Sequence, residues 1–178
     1  MPTYDKQTGR LKQLTSDYNK NGTIDTWTEM AGARPVFTKQ DRNEDGRIDR
    51  WEYYDASGRL AKVGFSRRDD GRPDAWAYPG ADGRIQRVEI SFVADEKKIG
   101  RWEFFEADVL ARSEEDADGD GRPDKWETYS NGAVATAAFD DDGDGRPNRR
   151  FTYDGRNLAF IETEPDASGT FTRKVAAR

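Results

Sequence analysis

Short segments in which apolar and polar side chains alternate recur along the chain and predict β-strands. Residues 60–65 (LAKVGF) and 85–90 (IQRVEI) are two of them, and each follows an aromatic or apolar stretch and a turn-like break, DASGRL or GADGRI. Aromatic and β-branched runs joined by turns of this composition are typical of β-hairpins. The pattern therefore predicts a unit made of a loop, a strand, a turn and a second strand.

A tryptophan marks the same place in five successive units. The spacings between these tryptophans are 24, 25, 26 and 24 residues, for Trp27, Trp51, Trp76, Trp102 and Trp126. A sixth unit has Arg150 at this place and a seventh is eroded. A fixed period is the signature of a repeat architecture. We predict one repeat array over residues 1–178, with a half-repeat at 3–16, six loop-hairpin units over 17–163 and a half-repeat at 164–178.

The predicted fold is all-β. Tandem β-hairpins joined by acidic loops are expected to form a solenoid-like array or a curved single sheet, with a repeat of about 24 residues. A tryptophan at the same phase in every unit predicts a core rung on which neighbouring hairpins stack. The alternative is an exposed aromatic platform for sugars.

The loops carry the candidate chemistry. Residues 41–52 (DRNEDGRIDRWE) place oxygen-bearing side chains at the first, third, fifth, ninth and twelfth places, and residues 116–127 repeat the arrangement. A hard divalent cation takes about six to eight oxygen ligands, so the backbone must wrap around it while alternate side chains point inward. With the seventh-place residue contributing its carbonyl, the predicted ligands are Asp41, Asn43, Asp45, Arg47, Asp49 and Glu52, and Asp116, Asp118, Asp120, Arg122, Asp124 and Glu127.

Two further loops have incomplete ligand sets because Thr28 or Phe151 stands at the twelfth place. Their predicted ligands are Asp17, Asn19, Asn21, Thr23 and Asp25, and Asp140, Asp142, Asp144, Arg146 and Asn148. The unit from Ser66 has Arg68 at the third place, where its guanidinium would substitute for the ion. The unit from Phe92 has Ala94, Glu96 and Lys97 at key places, and we expect no binding there.

The composition limits both the core and the chemistry. Hydrophobic residues make up 34% of the 178 residues, and 29 Lys and Arg stand against 35 Asp and Glu, for a net charge of −6. We expect a thin aromatic core assisted by bound ions, because metal ligation can replace missing burial. The chain has no Cys and no His. Disulfides, thiolate or His-ligated metal sites and imidazole bases are therefore excluded.

The loop pattern resembles EF-hand calcium loops and is similar to those of dockerins and thrombospondin type 3 repeats. The whole pattern resembles D-x-D-x-D-G tandem-repeat proteins exported by bacteria. This resemblance implies Ca²⁺ as the ion and an extracellular, cell-surface or periplasmic location, and it implies no catalytic activity. We expect about four ions, with the loops at Asp41 and Asp116 most secure. Only about twelve residues separate successive loops, too few for two packed helices; dockerin-like loop-helix repeats stay as an alternative.

The expected function is that of a calcium-binding structural or adhesive repeat protein, rigidified by calcium, and not an enzyme. Its end strands would either close within one molecule or pair head-to-tail into a homo-oligomer or filament. The alternative is a calcium-dependent module for carbohydrate, with a surface glycan as partner.

The acidic composition disfavours nucleic acid as a partner. No apolar run is long enough to span a membrane, and nothing resembles a signal peptide.

Overall fold

A computed structural model describes residues 1–177 and shows an all-β protein. Within these residues there are fifteen strands and no helix. The strands are β1 (Pro2–Tyr4), β2 (Leu11–Ser16), β3 (Thr26–Ala31), β4 (Arg34–Gln40), β5 (Arg50–Tyr54), β6 (Leu60–Phe65), β7 (Ala75–Pro79), β8 (Ile85–Ile90), β9 (Arg101–Glu106), β10 (Val109–Glu115), β11 (Lys125–Ser130), β12 (Ala133–Phe139), β13 (Arg149–Asp154), β14 (Asn157–Pro165) and β15 (Phe171–Ala176).

The strand order of the antiparallel sheet is the order of the chain. The chain divides into two compact units, Met1–Ile85 with Val93–Glu96, and Gln86–Phe92 with Lys97–Arg178. Strands β1 to β7 pair successively in the first unit. In the second unit β8 to β15 do the same. The predicted all-β fold of tandem hairpins is confirmed, and the loop-helix alternative is wrong for the residues described.

Two hairpin turns are closed by aspartates that are not among the predicted metal ligands, Asp55 and Asp166. Asp55 Oδ1 accepts the backbone N–H groups of Ser57 and Arg59 at 2.8 and 3.0 Å. Asp166 makes the same pair of bonds to Ser168 and Thr170, at 2.8 and 3.1 Å. A short acidic side chain that bonds its own backbone favours a tight turn. These aspartates therefore shape the hairpins and belong to no candidate ion site.

The tryptophans line one face of each unit. In the first unit Trp27, Trp51 and Trp76 lie in one cross-strand row, separated by Lys39 and Gly64. Residues directly opposite each other in antiparallel strands share a face. Trp76 is only 1% exposed, and the other four tryptophans are half-buried. This burial favours a packing role for the row over an exposed platform.

Glycine at position 64 allows close packing beside this row. A Cβ added to Gly64 would lie 3.3 Å from Pro73 Cβ and 3.6 Å from Trp51 Cβ. Because real Cβ atoms seldom approach so closely, a larger residue would require Pro73, in the loop before β7, to shift by a few tenths of an ångström. The small residue therefore sets the spacing between Trp51 and its neighbours.

The buried interior is more polar than apolar. Among the described residues six hydrophobic side chains are buried, including Val63 and Ala77, against ten polar or charged ones. Many of the buried polar residues stand where a loop joins a strand: Asp25, Thr26, Gln40, Asp41, Asp74 and Asp116. Burying carboxylates without compensation is costly. The packing of the sheet therefore depends on how the loop bases are satisfied.

Candidate metal loops

Four loops share one winding, built by side chains that bond the backbone two to five residues ahead. The first-place carboxylate accepts the N–H of the sixth-place glycine at 2.7 to 2.9 Å, in the pairs Asp17–Gly22, Asp41–Gly46, Asp116–Gly121 and Asp140–Gly145. The fifth-place side chain accepts the seventh-place N–H at 2.8 Å, in the pairs Asn21–Thr23, Asp45–Arg47, Asp120–Arg122 and Asp144–Arg146. The loops therefore wrap back on their own oxygen-bearing side chains, as predicted.

The left-handed backbone conformation needed at the sixth place is supplied by glycine. Gly46 has φ of 88° and Gly121 has φ of 92°. Residues with a Cβ seldom adopt such angles. A glycine at this place lets the chain reverse around the carboxylates.

In five loops the ninth-place side chain accepts a hydrogen bond that closes the base of the loop. It accepts the N–H of the second-place residue at 2.6 to 3.1 Å, in the pairs Asp49–Arg42, Asp74–Arg67, Asp124–Ala117 and Asn148–Asp141, and Asp25 accepts Tyr18 in the same way at 2.9 Å. Asp25 also accepts the hydroxyl of Thr26, and this bond holds the pKa of Asp25 below its ordinary value. The ninth-place residues predicted as ligands are thus also structural braces.

Successive loops are joined through the backbone. The N–H of the first place donates to the ninth-place carbonyl of the preceding loop, from Asp41 to Asp25, Ser66 to Asp49 and Asp140 to Asp124, at 2.8 to 2.9 Å. The ninth-place N–H donates in turn to the last residue before its own loop, as Asp49 does to Gln40 at 2.9 Å. The loops therefore form a continuous hydrogen-bonded row within each unit.

Two loops gather three carboxylates each. One oxygen from each of Asp116, Asp118 and Asp120 lies within 4.8 Å of the others, and Asp140, Asp142 and Asp144 form an equivalent triplet. Burial tends to raise the pKa of Asp140, but the N–H groups of Gly145 and Gly143 outweigh this effect, so its pKa lies below the ordinary value. Like charges this close repel unless a cation compensates. Both triplets could hold a metal ion.

The loop at Asp41 contains a buried carboxylate oxygen that lacks a donor. Asp41 is 8% exposed, and its Oδ1 atom has no hydrogen-bond partner among residues 1–177. The other oxygen of the same carboxylate accepts Gly46, so the group lies within the loop. A buried, unpaired carboxylate oxygen is unfavourable in free energy unless a donor or a cation meets it. The oxygen atoms of this loop therefore fit a cation as well as those of the two triplets do.

The two twelfth-place glutamates lie on strands and are engaged there. Glu52 accepts Arg50 Nε at 2.8 Å and the Tyr54 hydroxyl at 2.6 Å. Glu127 pairs with Lys125 Nζ at 2.8 Å and accepts the Tyr129 hydroxyl at 2.8 Å. The strand begins two residues before each glutamate, and the tryptophan comes directly before it, so the glutamate side chain belongs to the sheet face opposite the tryptophan. The role of Glu52 and Glu127 as ligands stays a prediction.

These contacts also set the acidity of Glu127. Burial tends to raise its pKa, but the hydrogen bonds from Lys125, Tyr129 and Ser113 outweigh burial and lower the pKa to about 2. The Glu127 carboxylate is therefore ionised at neutral pH, whether or not a cation is nearby.

The third loop pairs its ninth-place carboxylate with its own arginine. Arg68 Nε pairs with Asp74 Oδ2 at 3.1 Å, and the Asp74 side chain is 4% exposed. Part of the common winding is kept, because Asp70 Oδ1 accepts the N–H of Arg72 at 3.0 Å, while Ser66 Oγ accepts the N–H of Asp70 at 3.1 Å. A guanidinium on the ninth-place carboxylate places a positive charge at the base of this loop, as the sequence predicts.

The fourth loop starts one residue earlier than the tryptophan spacing indicates. The ninth-place N–H of Gly100 donates to Ile90, so the first place is Ser91 rather than Phe92, and the loop has one extra residue. Ala94, with φ of 55°, thereby occupies the fourth place, which is also left-handed in the other loops. A Cβ on Gly100 would lie 2.4 Å from the ring of Phe92. An aromatic ring thus takes the space beside the base of this loop.

The sequence analysis missed two residues that act between loops, Glu44 and Asp69. Glu44 accepts the side-chain amides of Asn19 and Asn21, each at 2.6 Å, and Asp69 accepts the amide of Asn43 at 3.0 Å. Both acids stand at the fourth place of their own loop. The signal in the sequence was an acidic fourth place in the loop that follows an asparagine-bearing loop.

Comparisons with known proteins leave the family of the chain open. No protein-family model matches it, and no curated protein matches it. One solved structure with some similarity is that of accessory secretory protein 1, 2 and 3 from Streptococcus pneumoniae, at 13% identity and a TM-score of 0.29, covering 60% of this chain and 17% of that chain. The chain therefore spans about a sixth of that protein's chain, and so low a score carries no argument. Within residues 1–177 no helix is long and apolar enough to cross a bilayer.

Proposed function

We propose that this protein is a calcium-binding structural repeat protein whose loops are made rigid by bound Ca²⁺. The observation that carries the proposal is the buried Oδ1 atom of Asp41, which has no hydrogen-bond partner among residues 1–177. The two aspartate triplets support it, since each brings three carboxylates within 4.8 Å.

The ligand chemistry favours Ca²⁺ over other divalent ions. The loops offer carboxylate, amide and carbonyl oxygens and no nitrogen or sulfur ligand, since the chain has neither His nor Cys. Oxygen ligands in a flexible loop suit Ca²⁺, whereas Mg²⁺ demands near-ideal octahedral geometry and usually keeps several waters. Zinc and copper prefer imidazole or thiolate.

Bound ions would stabilise the sheet through the loop bases. The first-place carboxylates Asp41 and Asp116 are buried where loops meet strands. A cation there neutralises charge that the small apolar interior cannot compensate, and it stabilises the folded state because it binds the unfolded chain weakly. The row of backbone bonds between loops spreads this stiffening from one hairpin to the next.

The proposed setting is outside the cytoplasm. It is supported by the resemblance of the loops to those of D-x-D-x-D-G proteins that bacteria export. Extracellular modules bind calcium with dissociation constants of about 10⁻⁴ to 10⁻³ M, which suits calcium-rich surroundings. A scaffold with such affinities would be loaded outside the cell and unloaded within it.

The decisive experiment is a titration of chelator-treated protein with Ca²⁺ and, separately, with Mg²⁺, followed by calorimetry and by tryptophan fluorescence. We expect about four calcium ions per chain, a fluorescence change, and much weaker binding of Mg²⁺. Asp41→Ala should remove one site, and Ala56→Ser, in a hairpin turn, should remove none. A parent protein that takes up no Ca²⁺ at millimolar concentration would refute the proposal.

A second candidate function is calcium-dependent binding of a carbohydrate. A groove of about 660 Å³ lies beside the last loop and is lined by Asp142, Asp144, Asn148, Pro165 and Ser168, among others. A calcium ion in this loop could share its open coordination positions with sugar hydroxyls. Binding to a glycan array in Ca²⁺ that is lost in chelator and in Asp144→Asn would support this function. An array without calcium-dependent signals would argue against it.

A further inference from the structure

The side-chain amides of the first two loops are held by the loop that follows each of them. Glu44 accepts the Nδ2 atoms of Asn19 and Asn21, each at 2.6 Å, and Asp69 accepts Nδ2 of Asn43 with both oxygens, at 3.1 and 3.0 Å. Glu44 and Asp69 have φ of 59° and 56°, in the left-handed region that strains a residue with a Cβ. The fourth place has this conformation in the other loops as well, so it belongs to the common winding, which brings each acid beside the preceding loop.

The orientation of an asparagine decides whether it can bind a cation. Its amide carries an acceptor oxygen and a donor nitrogen that exchange places when the group flips. With Nδ2 of Asn43 bonded to Asp69, Oδ1 faces its own loop and accepts the N–H of Asp45 at 3.2 Å. A partner that fixes a ligand in this way tunes metal affinity without contacting the metal.

An asparagine at the third place of one loop is followed by an acid at the fourth place of the next loop. The loops with asparagine at the third place are followed by Glu44 and Asp69, whereas the loop with Asp118 at that place is followed by Gly143 at the fourth place. An acid beside Asp118 would put like charges in contact, and glycine avoids this. At these three junctions the fourth-place residue is thus complementary to the third-place residue of the loop before it.

The second loop has an independent sign of a cation. Asp41 is 92% buried, and its Oδ1 atom lacks a hydrogen-bond donor among the described residues, while Oδ2 accepts Gly46 at 2.9 Å. The oxygen belongs to the same loop as Asn43. Asp69 thus orients the side chain of Asn43 in a loop whose buried, unpaired carboxylate oxygen would be stabilised by a cation.

We propose that Asp69 and Glu44 are positioning residues for cation sites in the loops before them, so that calcium binding is coupled from one loop to the next. The inference rests on the proposed function. A cation bound among Asp41, Asn43 and Asp45 orders Glu44, which lies between the last two, and Glu44 in turn fixes Asn19 and Asn21. Coupling of this kind is reciprocal and positive, so each loop raises the affinity of the other.

The third loop gains a role from this proposal. Arg68 neutralises its ninth-place carboxylate, and the loop contributes Asp69 to its neighbour instead. Arg47 strengthens the junction, since its Nη1 atom donates to the carbonyl of Asp69 at 3.0 Å. A loop without a site of its own can therefore support the site beside it.

Site-resolved NMR of the full chain tests the proposal. The amide signals of the sixth-place glycines Gly22, Gly46 and Gly121 report their own loops during a titration with CaCl₂. Asp69→Asn and Asp69→Gly should weaken binding seen at Gly46 by about tenfold, the lower end of what loss of a partner to a metal ligand does. Gly121 should be unaffected. Glu44→Ala should have the corresponding effect at Gly22.

A double-mutant cycle separates positioning from general stability. Asn43→Asp with Asp69→Gly recreates the Asp118 and Gly143 pairing of the later junction. We expect Asn43→Asp to raise affinity at Gly46 about tenfold more in the Asp69→Gly background than in the parent, because the like-charge contact is then absent. The melting temperature in chelator checks folding of each variant, and Asp69→Asn, which keeps the side-chain shape, provides the result if Asp69→Gly unfolds.

The outcomes are distinct. Unchanged titration at Gly46 in both Asp69 variants, or additive effects in the cycle, would overturn the coupling while leaving calcium binding intact. A parent protein in which neither Gly46 nor Gly121 responds to CaCl₂ would overturn the proposed function itself.

Discussion

The backbone N–H of Asp41 donates a 2.9 Å hydrogen bond to the carbonyl oxygen of Asp25. Asp25 closes one loop and Asp41 opens the next, so the bond ties the end of one candidate site to the start of another. Asp140 and Asp124 repeat this relationship at 2.8 Å. Ligand binding that shifts the first place of one loop should therefore be felt at the ninth place of the loop before it.

The aspartate triplet and the twelfth-place glutamate of one loop should respond differently to substitution. Asp120→Asn removes a carboxylate from the triplet, and we expect calcium affinity at that loop to fall about tenfold, since ligand charge tunes affinity. Because Lys125 and Tyr129 engage its carboxylate on the sheet face, we expect Glu127→Gln, against its predicted role as a ligand, to leave affinity within about twofold. It should lower the free energy of unfolding in chelator by about 1–3 kcal/mol, because charged hydrogen bonds are lost. Calorimetry and urea unfolding measure the two effects. Equal losses of affinity would instead make Glu127 a ligand.

Replacing Arg68 by asparagine should create a binding site. The third loop already has part of the required winding, because Asp70 accepts the seventh-place N–H of Arg72 as in the other loops and Ser66 Oγ accepts the fifth-place N–H of Asp70. Arg68→Asn removes the guanidinium from Asp74 and supplies a third-place oxygen, so the number of bound calcium ions should rise by one. Native mass spectrometry counts the ions. The matched control is Arg67→Asn, at the second place; an unchanged count in Arg68→Asn would show that arginine is not what prevents binding.

Trp76 should matter more to stability than the half-buried tryptophans. It is 1% exposed, and truncation of a large buried aromatic lowers the free energy of unfolding by about 3–5 kcal/mol. We expect about 1–3 kcal/mol for Trp126→Ala, which removes less buried surface. Urea unfolding in saturating calcium compares the two variants. A larger loss in Trp126→Ala would contradict the burial pattern.

The hairpin turns should make the protein sensitive to acid independently of calcium. The Ser57 hydroxyl and then the Arg59 N–H hold the pKa of Asp55 at about 2, below its ordinary 3.8. Because the folded state has the lower pKa, the stability that this turn supplies is complete above about pH 4 and is lost as the pH falls toward 2. We expect the melting temperature in chelator to drop over this range, and to drop less in Asp55→Asn. An identical drop in both proteins would assign the acid sensitivity to other groups.

The outer strands should control self-association. β1 has three residues and begins with Pro2, and β15 exposes Arg173 and Lys174. Short strands, proline and basic side chains at an edge oppose pairing with another chain. We propose end-strand pairing as the route to assembly, limited by these residues. Light scattering in calcium should show association at lower concentration for Arg173→Thr with Lys174→Thr, and none after deletion of residues 170–178. Association that survives the deletion would exclude β15.

The hairpin fold could be predicted because its signals are local. Alternating segments and turn residues define each hairpin, and the aspartate spacing defines the winding seen from Asp116 to Gly121. The position of Glu127 could not be predicted in the same way. The loop spacing matches a helix-flanked loop, but here the chain enters a strand at Lys125, and alternation sends the glutamate to the sheet face. The same residue spacing therefore gives a different geometry when the flanking element changes.

Contacts between repeats were the other part that sequence reasoning did not reach. The extra residue in the fourth loop was concealed by alignment on Trp102, and only the backbone bond from Gly100 to Ile90 reveals the true frame. The bond from Asn43 to Asp69 joins residues 26 positions apart. A periodic pattern shows what each unit contains, whereas the pairing of one loop with the next depends on how the strands bring them side by side.

The hydrogen bond from the first-place N–H of one loop to the ninth-place carbonyl of the loop before it is made from main-chain atoms, so this bond does not depend on which side chains a loop carries. Copying a whole unit would recreate the same junction at each new boundary, and the array could grow or shrink by duplication without a new interface. The number of sites within it could change separately, by single substitutions such as the arginine at position 68. Length and cation capacity are thus free to evolve independently in a chain of this design.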